Sequence, residues 1–354
     1  KFFSVAAALL LLPGVCHGQQ LITTCAELQA AFEQTQTGDV NVEISPAADI
    51  ECATYTNMTM NSNTLTVSSS EDLSIFFATT LLRRVRFEVT NGAELVWETN
   101  VWFDGVGEEE EQNNDGGAVF VGTGSTVHFL NNVEMRDVYI INERDGDSDF
   151  AIFVRSGGCV WTNGEFRVDG NAVFTTCEIT GAGESPPGPG GAIYVGETGS
   201  VLFNGDVSIT DTFITDDFGG DGGAIYNLGK VDILGTARFE ELRASEGGAI
   251  YNGVDAEFIF GTGATAFFRD VGNRDAQGSA LYNLGVFEFS GPALFVDAEA
   301  PVIVAVDGSE TTLSADSAFW DLDDSGAQAI SAGATADITI PSSVVFVGFA
   351  EPSS

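Results

Sequence analysis

Gly222-Gly223-Ala224-Ile225-Tyr226-Asn227 returns 25 residues later as Gly247-Gly248-Ala249-Ile250-Tyr251-Asn252. Between the two copies lie Lys230-Val231-Asp232-Ile233-Leu234 and Ala237-Arg238-Phe239-Glu240-Glu241-Leu242, set off by Leu228-Gly229 and Gly235-Thr236. Three short runs of strand-favouring residues, each closed by a turn, make one rung of a parallel β-helix. Working outward, the same apolar phrase stands at Ala118-Val119-Phe120-Val121, Ala151-Ile152-Phe153-Val154, Ala192-Ile193-Tyr194-Val195 and Ala280-Leu281-Tyr282-Asn283, so the six copies are 33, 41, 32, 25 and 31 residues apart. A propeller blade of about 40 to 50 residues is too long for the 25-residue interval. An antiparallel sandwich has no reason to repeat one phrase in one context. The longer intervals read as the same rung with an enlarged corner, at 178–189 and 211–221. The expected fold is therefore all-β: a right-handed parallel β-helix of three strands per rung and roughly ten rungs, about 50 Å long.

Strand side chains alternate between two faces, so stacking turns the phrase into columns. One column holds Val119, Ile152, Ile193, Ile225, Ile250 and Leu281, with Val121, Val154, Val195, Asn227, Asn252 and Asn283 two positions on. The other holds the alanines and then Phe120, Phe153, Tyr194, Tyr226, Tyr251 and Tyr282. We place the aliphatic column inside, with the three asparagines stacked at an inner corner and bonded from rung to rung. The aromatic column then faces out; the opposite register, with the rings in the core, is the alternative.

Before the repeats, Lys1 precedes the apolar run Val5 to Leu12, broken by Pro13 and followed by the small residues Cys16 and Gly18. This is the pattern of a secretory signal peptide cleaved after Gly18, and the run is shorter than the roughly 20 residues a membrane anchor needs. The lack of an initiator Met points to a fragment. Four cysteines remain after cleavage. In an exported chain they read as two disulfides, Cys25–Cys52 and Cys159–Cys177 in sequence order; a zinc site lacks a Cys-x-x-Cys pair. Residues 23 to 37 form the one expected helix, with Thr24 as cap, Glu27 three residues on, Cys25, Leu28, Ala31 and Phe32 on one face, and Gly38 at the end. The domain plan is a signal peptide at 1–18, an N-terminal cap at 19–60, the coil at 61–350 and a tail at 351–354. Asn57-Met58-Thr59 is a glycosylation sequon.

Fifty-two acids against 13 basic residues give a net charge of −39. No positive stripe exists for nucleic acid, and no segment after the leader can span a membrane as a helix. The expected location is secreted, extracellular or at the cell surface, and the expected partner an extracellular glycan or surface protein.

Gly-Gly-Ala-Ile-Tyr, at 222–226 and 247–251, resembles the repeat of the polymorphic outer-membrane protein family, right-handed β-helical surface passengers. Phe129-Leu130-Asn131-Asn132 is close to that family's second hallmark, Phe-x-x-Asn. More broadly, a helical cap followed by rungs looks like the pectin-lyase-like superfamily. The resemblance spans about residues 92 to 300 and implies adhesion or surface display.

Superfamily enzymes that cut or epimerise acidic polysaccharides need a base among acids, or paired carboxylates near a histidine. Here His128 sits in an alternating run and reads as an exposed strand residue, while Lys230 opens a strand and reads as solvated. Asp216-Asp217 would be the catalytic pair of an enzyme, although neighbouring strand residues point to opposite faces. Acids gather upstream of the phrases: Glu108 to Glu111 with Asp115; Glu143, Asp145, Asp147 and Asp149; Asp216, Asp217 and Asp221; and Glu240, Glu241 and Glu246. Stacking would set these on one edge. Asp145-Gly146-Asp147-Ser148-Asp149 has the alternating carboxylates of a calcium loop, but Phe150 and Ser156 stand where an EF-hand needs Gly and Glu. No cofactor is required on this reading; calcium is the one candidate ion, against a plain solvated loop. If the column faces solvent, Tyr194, Tyr226, Tyr251 and Tyr282 form a binding ladder for sugar rings or a partner's surface.

Overall fold

The computed structural model describes residues 20–44, 48–69, 79–105, 117–142, 156–181, 189–212, 214–215, 220–277, 280–298, 301–320 and 328–348. The chain winds as a parallel β-helix with three strands per rung. The phrase strands form the first sheet: Val119–Val121, Val160–Thr162, Ile193–Val195, Ile225–Asn227, Ile250–Asn252, Leu281–Asn283, Ile303–Ala305 and Ile330–Ala332, each paired parallel with the next. The second sheet has twelve strands, from Gln20–Ile22 through Lys230–Ile233 to Asp337–Thr339. The third runs from Asp49–Met60 through Ala237–Glu246 to Val345–Val347. First and third sheets join because Thr79–Val89 pairs with Asn100–Asp104 through its first half and with Val119–Val121 through its second.

The second sheet has twelve strands against roughly ten expected rungs, because the first strands of the 19–60 segment already join it. Gln20–Ile22 and Val40–Ile44 already pair in parallel with each other, and the latter with Thr64–Ser69. At about 4.8 Å per strand the rod is about 50 to 60 Å long.

One copy of the phrase is corrected. Val119 pairs with Val160 and Val160 with Ile193, so Val160-Trp161-Thr162 occupies the rung assigned to Ala151-Ile152-Phe153-Val154. Residues 151–154 lie outside the described residues, as do 1–18, 351–354, the calcium-loop candidates Asp145, Asp147 and Asp149, the catalytic candidates Asp216 and Asp217, and the acids Glu108 to Glu111, Asp115 and Glu143.

The Gly-Gly pair before the copies at Val160, Ala192, Ala224 and Ala249 has two separate causes. Its first member takes positive φ, +70° at Gly222 and +59° at Gly247, which a side chain rarely adopts. Its second member has no room: a Cβ on Gly191 would strike the carbonyl oxygen of Gly223, and one on Gly223 that of Gly248. The corners therefore stack backbone against backbone.

The inside is largely aliphatic and aromatic, with an asparagine ladder at one corner. Val119, Ile193, Ile225, Ile250 and Leu281 are fully buried, as the inward aliphatic column requires. Phe239, Phe268, Phe295, Phe319 and Phe346 stack from rung to rung on the third sheet at 4.6–4.9 Å. At the inner corner Asn227 Nδ2 donates to Asn252 Oδ1 at 2.8 Å, and Asn252 Nδ2 to Asn283 Oδ1 at 2.8 Å. Asn283 Nδ2 donates to Thr311 Oγ1 at 2.9 Å, which ends the ladder.

The helix spans Cys25–Gln34, shorter than 23 to 37. Thr24 and Glu27 form the expected capping box, and the helix stops at Thr35, whose hydroxyl donates to the Phe32 carbonyl. Leu28, Ala31 and Phe32 are buried, and Phe32 stacks on Phe87 at 5.1 Å, closing the N-terminal end of the core. Both disulfides form as sequence order suggested. Cys25–Cys52 ties the helix to the third sheet's first strand, and Cys159–Cys177 joins first and third sheets across one rung.

Candidate functional site

On the outer face of the first sheet, one ring per rung stands directly above the next. Phe120, Trp161, Tyr194, Tyr226, Tyr251 and Tyr282 stack with centroids 4.4, 5.8, 5.6, 4.5 and 5.4 Å apart and planes within 13° of parallel. The register that aligns them is the one that buries their neighbours: Val160, Ile193, Ile225, Ile250 and Leu281 point in, so the next residue points out. All six rings are half-buried. Trp161 was absent from the expected column because its rung lacks the Ala-aliphatic-aromatic wording; the Gly157-Gly158 pair before it was the available signal.

This geometry changes what the ladder can do. Each inner ring has both faces covered by its neighbours, and the Arg86 guanidinium lies 5.4 Å from the Phe120 centroid at the first rung. A sugar ring cannot lie flat on an inner ring. The ladder offers edges instead, and at four rungs a phenol hydroxyl, in a row at strand spacing. Burial first, then the charge of Asp221, pushes the Tyr226 hydroxyl up to about 12. Burial and the neighbouring Tyr226 raise Tyr251 further, and burial raises Tyr282. The hydroxyls of Tyr226, Tyr251 and Tyr282 are therefore uncharged at neutral pH and can both donate and accept.

Two acids border it. Asp221 and Glu246 occupy the same corner of successive rungs, where the Gly222 amide donates to the Glu246 carbonyl at 2.9 Å and the Glu246 amide to Asp221 Oδ1 at 3.2 Å. Burial raises both carboxyls, and Asp221 raises Glu246 further by repulsion. The expected common acidic edge is otherwise corrected. Glu240 faces outward from the third sheet, buried between Arg238 Nε at 2.6 Å and Arg269 Nε at 3.0 Å. Glu241 belongs to a different column at the bend of the third sheet, with Asp137, Asp211, Asp270 and Asp297, all in the left-handed conformation with φ between 49° and 56°. Asp tolerates that conformation better than most residues, so the bend collects acids for a backbone reason.

The remaining candidates are separate. His128 is half-buried on the second sheet, its Nε2 2.8 Å from Asp169 Oδ2. Burial alone would raise Asp169, but hydrogen bonds from Arg167, His128 and Asn204 hold it below the usual range. Lys230 is solvated yet paired, its Nζ 3.2 Å from Glu257 and 3.4 Å from Asp232; the bond to Glu257 raises it. Asn57 is exposed, its amide 2.6 Å from Glu88, in a place a glycan can reach. Among the described residues no cluster of three or more His, Cys, Asp or Glu could hold a metal, and no helix is long and apolar enough to cross a membrane, which says nothing of a β-barrel.

Fold and site together define a class: a disulfide-tied parallel β-helix with an external aromatic ladder. No protein-family model, no curated protein and no solved structure matches the chain.

Proposed function

We propose that this is a secreted or cell-surface β-helix that binds an extracellular glycan, or the glycan-like polar face of a surface protein, without turning it over. The observation that carries the reading is the outward row of stacked rings ending in the hydroxyls of Tyr194, Tyr226, Tyr251 and Tyr282. A flat, rigid, repeating row of donors and acceptors matches a polymer whose own hydroxyls repeat, and the ordering cost is met by the fold before binding. The leader-like residues 1–18, the cysteine pairs and the likeness to polymorphic outer-membrane protein repeats support the location. Calcium would serve as an auxiliary ion at Asp145, Asp147 and Asp149.

Replacing Tyr226, Tyr251 and Tyr282 by Phe together removes hydroxyls while keeping the stack. On an immobilised array of wall and matrix polysaccharides the wild type should be retained, and the triple variant should lose at least tenfold in affinity with its melting temperature unchanged. Equal retention of the two proteins refutes the reading. A second reading, a polysaccharide lyase, epimerase or hydrolase, is favoured by one feature, the half-buried carboxyl pair Asp221 and Glu246 beside the ladder. New reducing or unsaturated ends on uronic-acid polymers, lost in Asp221→Asn, would establish it in place of the first.

A further inference from the structure

On the outer face of the third sheet the polarity changes along the rod. Over its earlier strands outward positions pair charges, as Glu134 does with Arg136 and Glu240 with Arg238. Over its last strands the outward residues are Leu294, Val296, Trp320, Val345 and Val347, with Phe267 at the border, while Phe268, Phe295, Phe319 and Phe346 fill the inside. Trp320, Val345 and Val347 are 45%, 50% and 48% exposed. Strands such as Ala293-Leu294-Phe295-Val296 and Val344-Val345-Phe346-Val347 are apolar on both faces, the pattern of strands covered on both sides. The patch runs about 10 to 15 Å along the axis, enough for the apolar centre of an interface.

Its rim says what covers it. Asp297 stands exposed at the bend that ends these strands, next to Asp270, which is exposed but paired with Arg243 at 2.6 Å, and Asp316 is exposed at the other border. The cations near it are engaged: Arg269 by Glu240 at 3.0 Å, Arg238 by the same carboxylate at 2.6 Å, and Arg243 by Asp270 at 2.6 Å. Beyond Arg274 the sequence contains no lysine or arginine. A second copy would bring the same acids against one another, whereas a cationic rim would be attracted. We propose that this face docks a protein partner with an apolar centre bordered by lysine or arginine. The proposal is independent of the tyrosine ladder, which lies on another sheet.

The test uses the whole protein and two labelled octapeptides, one alternating valine with lysine and one alternating valine with glutamate. Followed by fluorescence anisotropy at physiological salt, the lysine peptide should bind and the glutamate peptide should not. Because so acidic a chain attracts cations everywhere, the deciding variants leave charge alone: W320S, and V345S with V347S, should each weaken the lysine peptide at least tenfold, whereas Tyr226→Phe should not. Binding unchanged in both patch variants, or no binding of the lysine peptide, overturns the proposal. So does a wild-type dimer in sedimentation that W320S dissolves, since the occupant would then be a second copy.

Discussion

Asn252 shows how much one side chain can carry in a stacked fold. Fully buried, it accepts from Asn227 and donates to Asn283 Oδ1 and to the Val286 carbonyl, so it satisfies groups on rungs either side of its own. Asn252→Leu keeps the volume roughly but removes three bonds, leaving Asn227 Nδ2 on the Glu257 carbonyl and Asn283 Oδ1 on the Gly285 amide. Each lost bond costs about 0.5–1.5 kcal/mol net, so over three bonds the urea midpoint should fall by an amount equivalent to about 2–4 kcal/mol. Asn252→Asp should be worse at neutral pH, since a carboxylate cannot donate to either acceptor. A variant as stable as wild type would mean the ladder sets register without stabilising. This ladder was legible in the sequence because the same residue type recurs at the same place in the phrase. A second ladder was not: Asn100, Asn132, Asn171 and Asp206 each accept the backbone amide of the next rung, at 3.2, 2.8, 3.1 and 2.8 Å, from turns whose distance to the phrase varies.

At the scale of elements, hydrophobic alternation identified strands and their buried faces, but loop length decided which segment filled each rung. Ala151-Ile152-Phe153-Val154 matches the phrase better in chemistry than Val160-Trp161-Thr162, yet the latter pairs with both neighbours. The difference lies in Gly157, at φ +70°, and Gly158, where a Cβ would meet the Gly191 carbonyl; steric need at the corner outweighs similarity of the strand. The bend of the third sheet left only a partial signature, since Asp137, Asp211, Asp270 and Asp297 suit its left-handed backbone while Arg84, Thr176 and Glu241 adopt it with unrelated side chains. The capping helix follows the opposite logic: its signal is local and complete in Thr24, Glu27 and the Leu28, Ala31, Phe32 stripe. Phe32→Ala should cost about 3–5 kcal/mol by cavity formation against Phe87. Because rungs contact only neighbours, the loss should be local. Hydrogen exchange is expected to speed up over residues 40–103 and stay unchanged beyond 225; uniform acceleration would mean the rod unfolds as one unit. Reducing Cys25–Cys52 should act in the same region, with a loop-entropy cost of roughly 3 kcal/mol.

For the molecule as a whole, a net charge of −39 means that compaction works against self-repulsion throughout, screened only within about 8 to 10 Å at physiological salt. The two sheets bearing paired cations, the second at Lys230 and Arg167 and the third at its arginines, relieve this locally. The corner of the first sheet does not, for Asp221 and Glu246 are stacked and partly buried with each other's charge. Their carboxyls titrate above their ordinary values of 3.8 and 4.5, so the folded chain holds these protons more tightly than the unfolded one. The stability they contribute is fully present below those ordinary values and is lost as pH rises through the folded ones. Asp169 and Glu27 have the opposite sign: held low, they stabilise above the ordinary carboxyl range and lose that contribution as pH falls through their folded values. The part of the stability due to Asp221 and Glu246 should therefore rise as pH falls from neutral toward their ordinary values, while the part due to Asp169 and Glu27 is lost as pH falls through their folded values. At the alkaline end Tyr226 and Tyr251 contribute fully below 10 and lose that contribution as pH rises through their raised folded values, about 12 for Tyr226. Urea midpoints across pH 4 to 8 measure the acid limb, and Asp221→Asn with Glu246→Gln isolates its source. That double variant should be more stable than wild type at pH 7.5 and gain less on acidification, because two desolvated charges are gone. Identical slopes in the two proteins would place the acid response in the overall charge of the rod rather than at this corner.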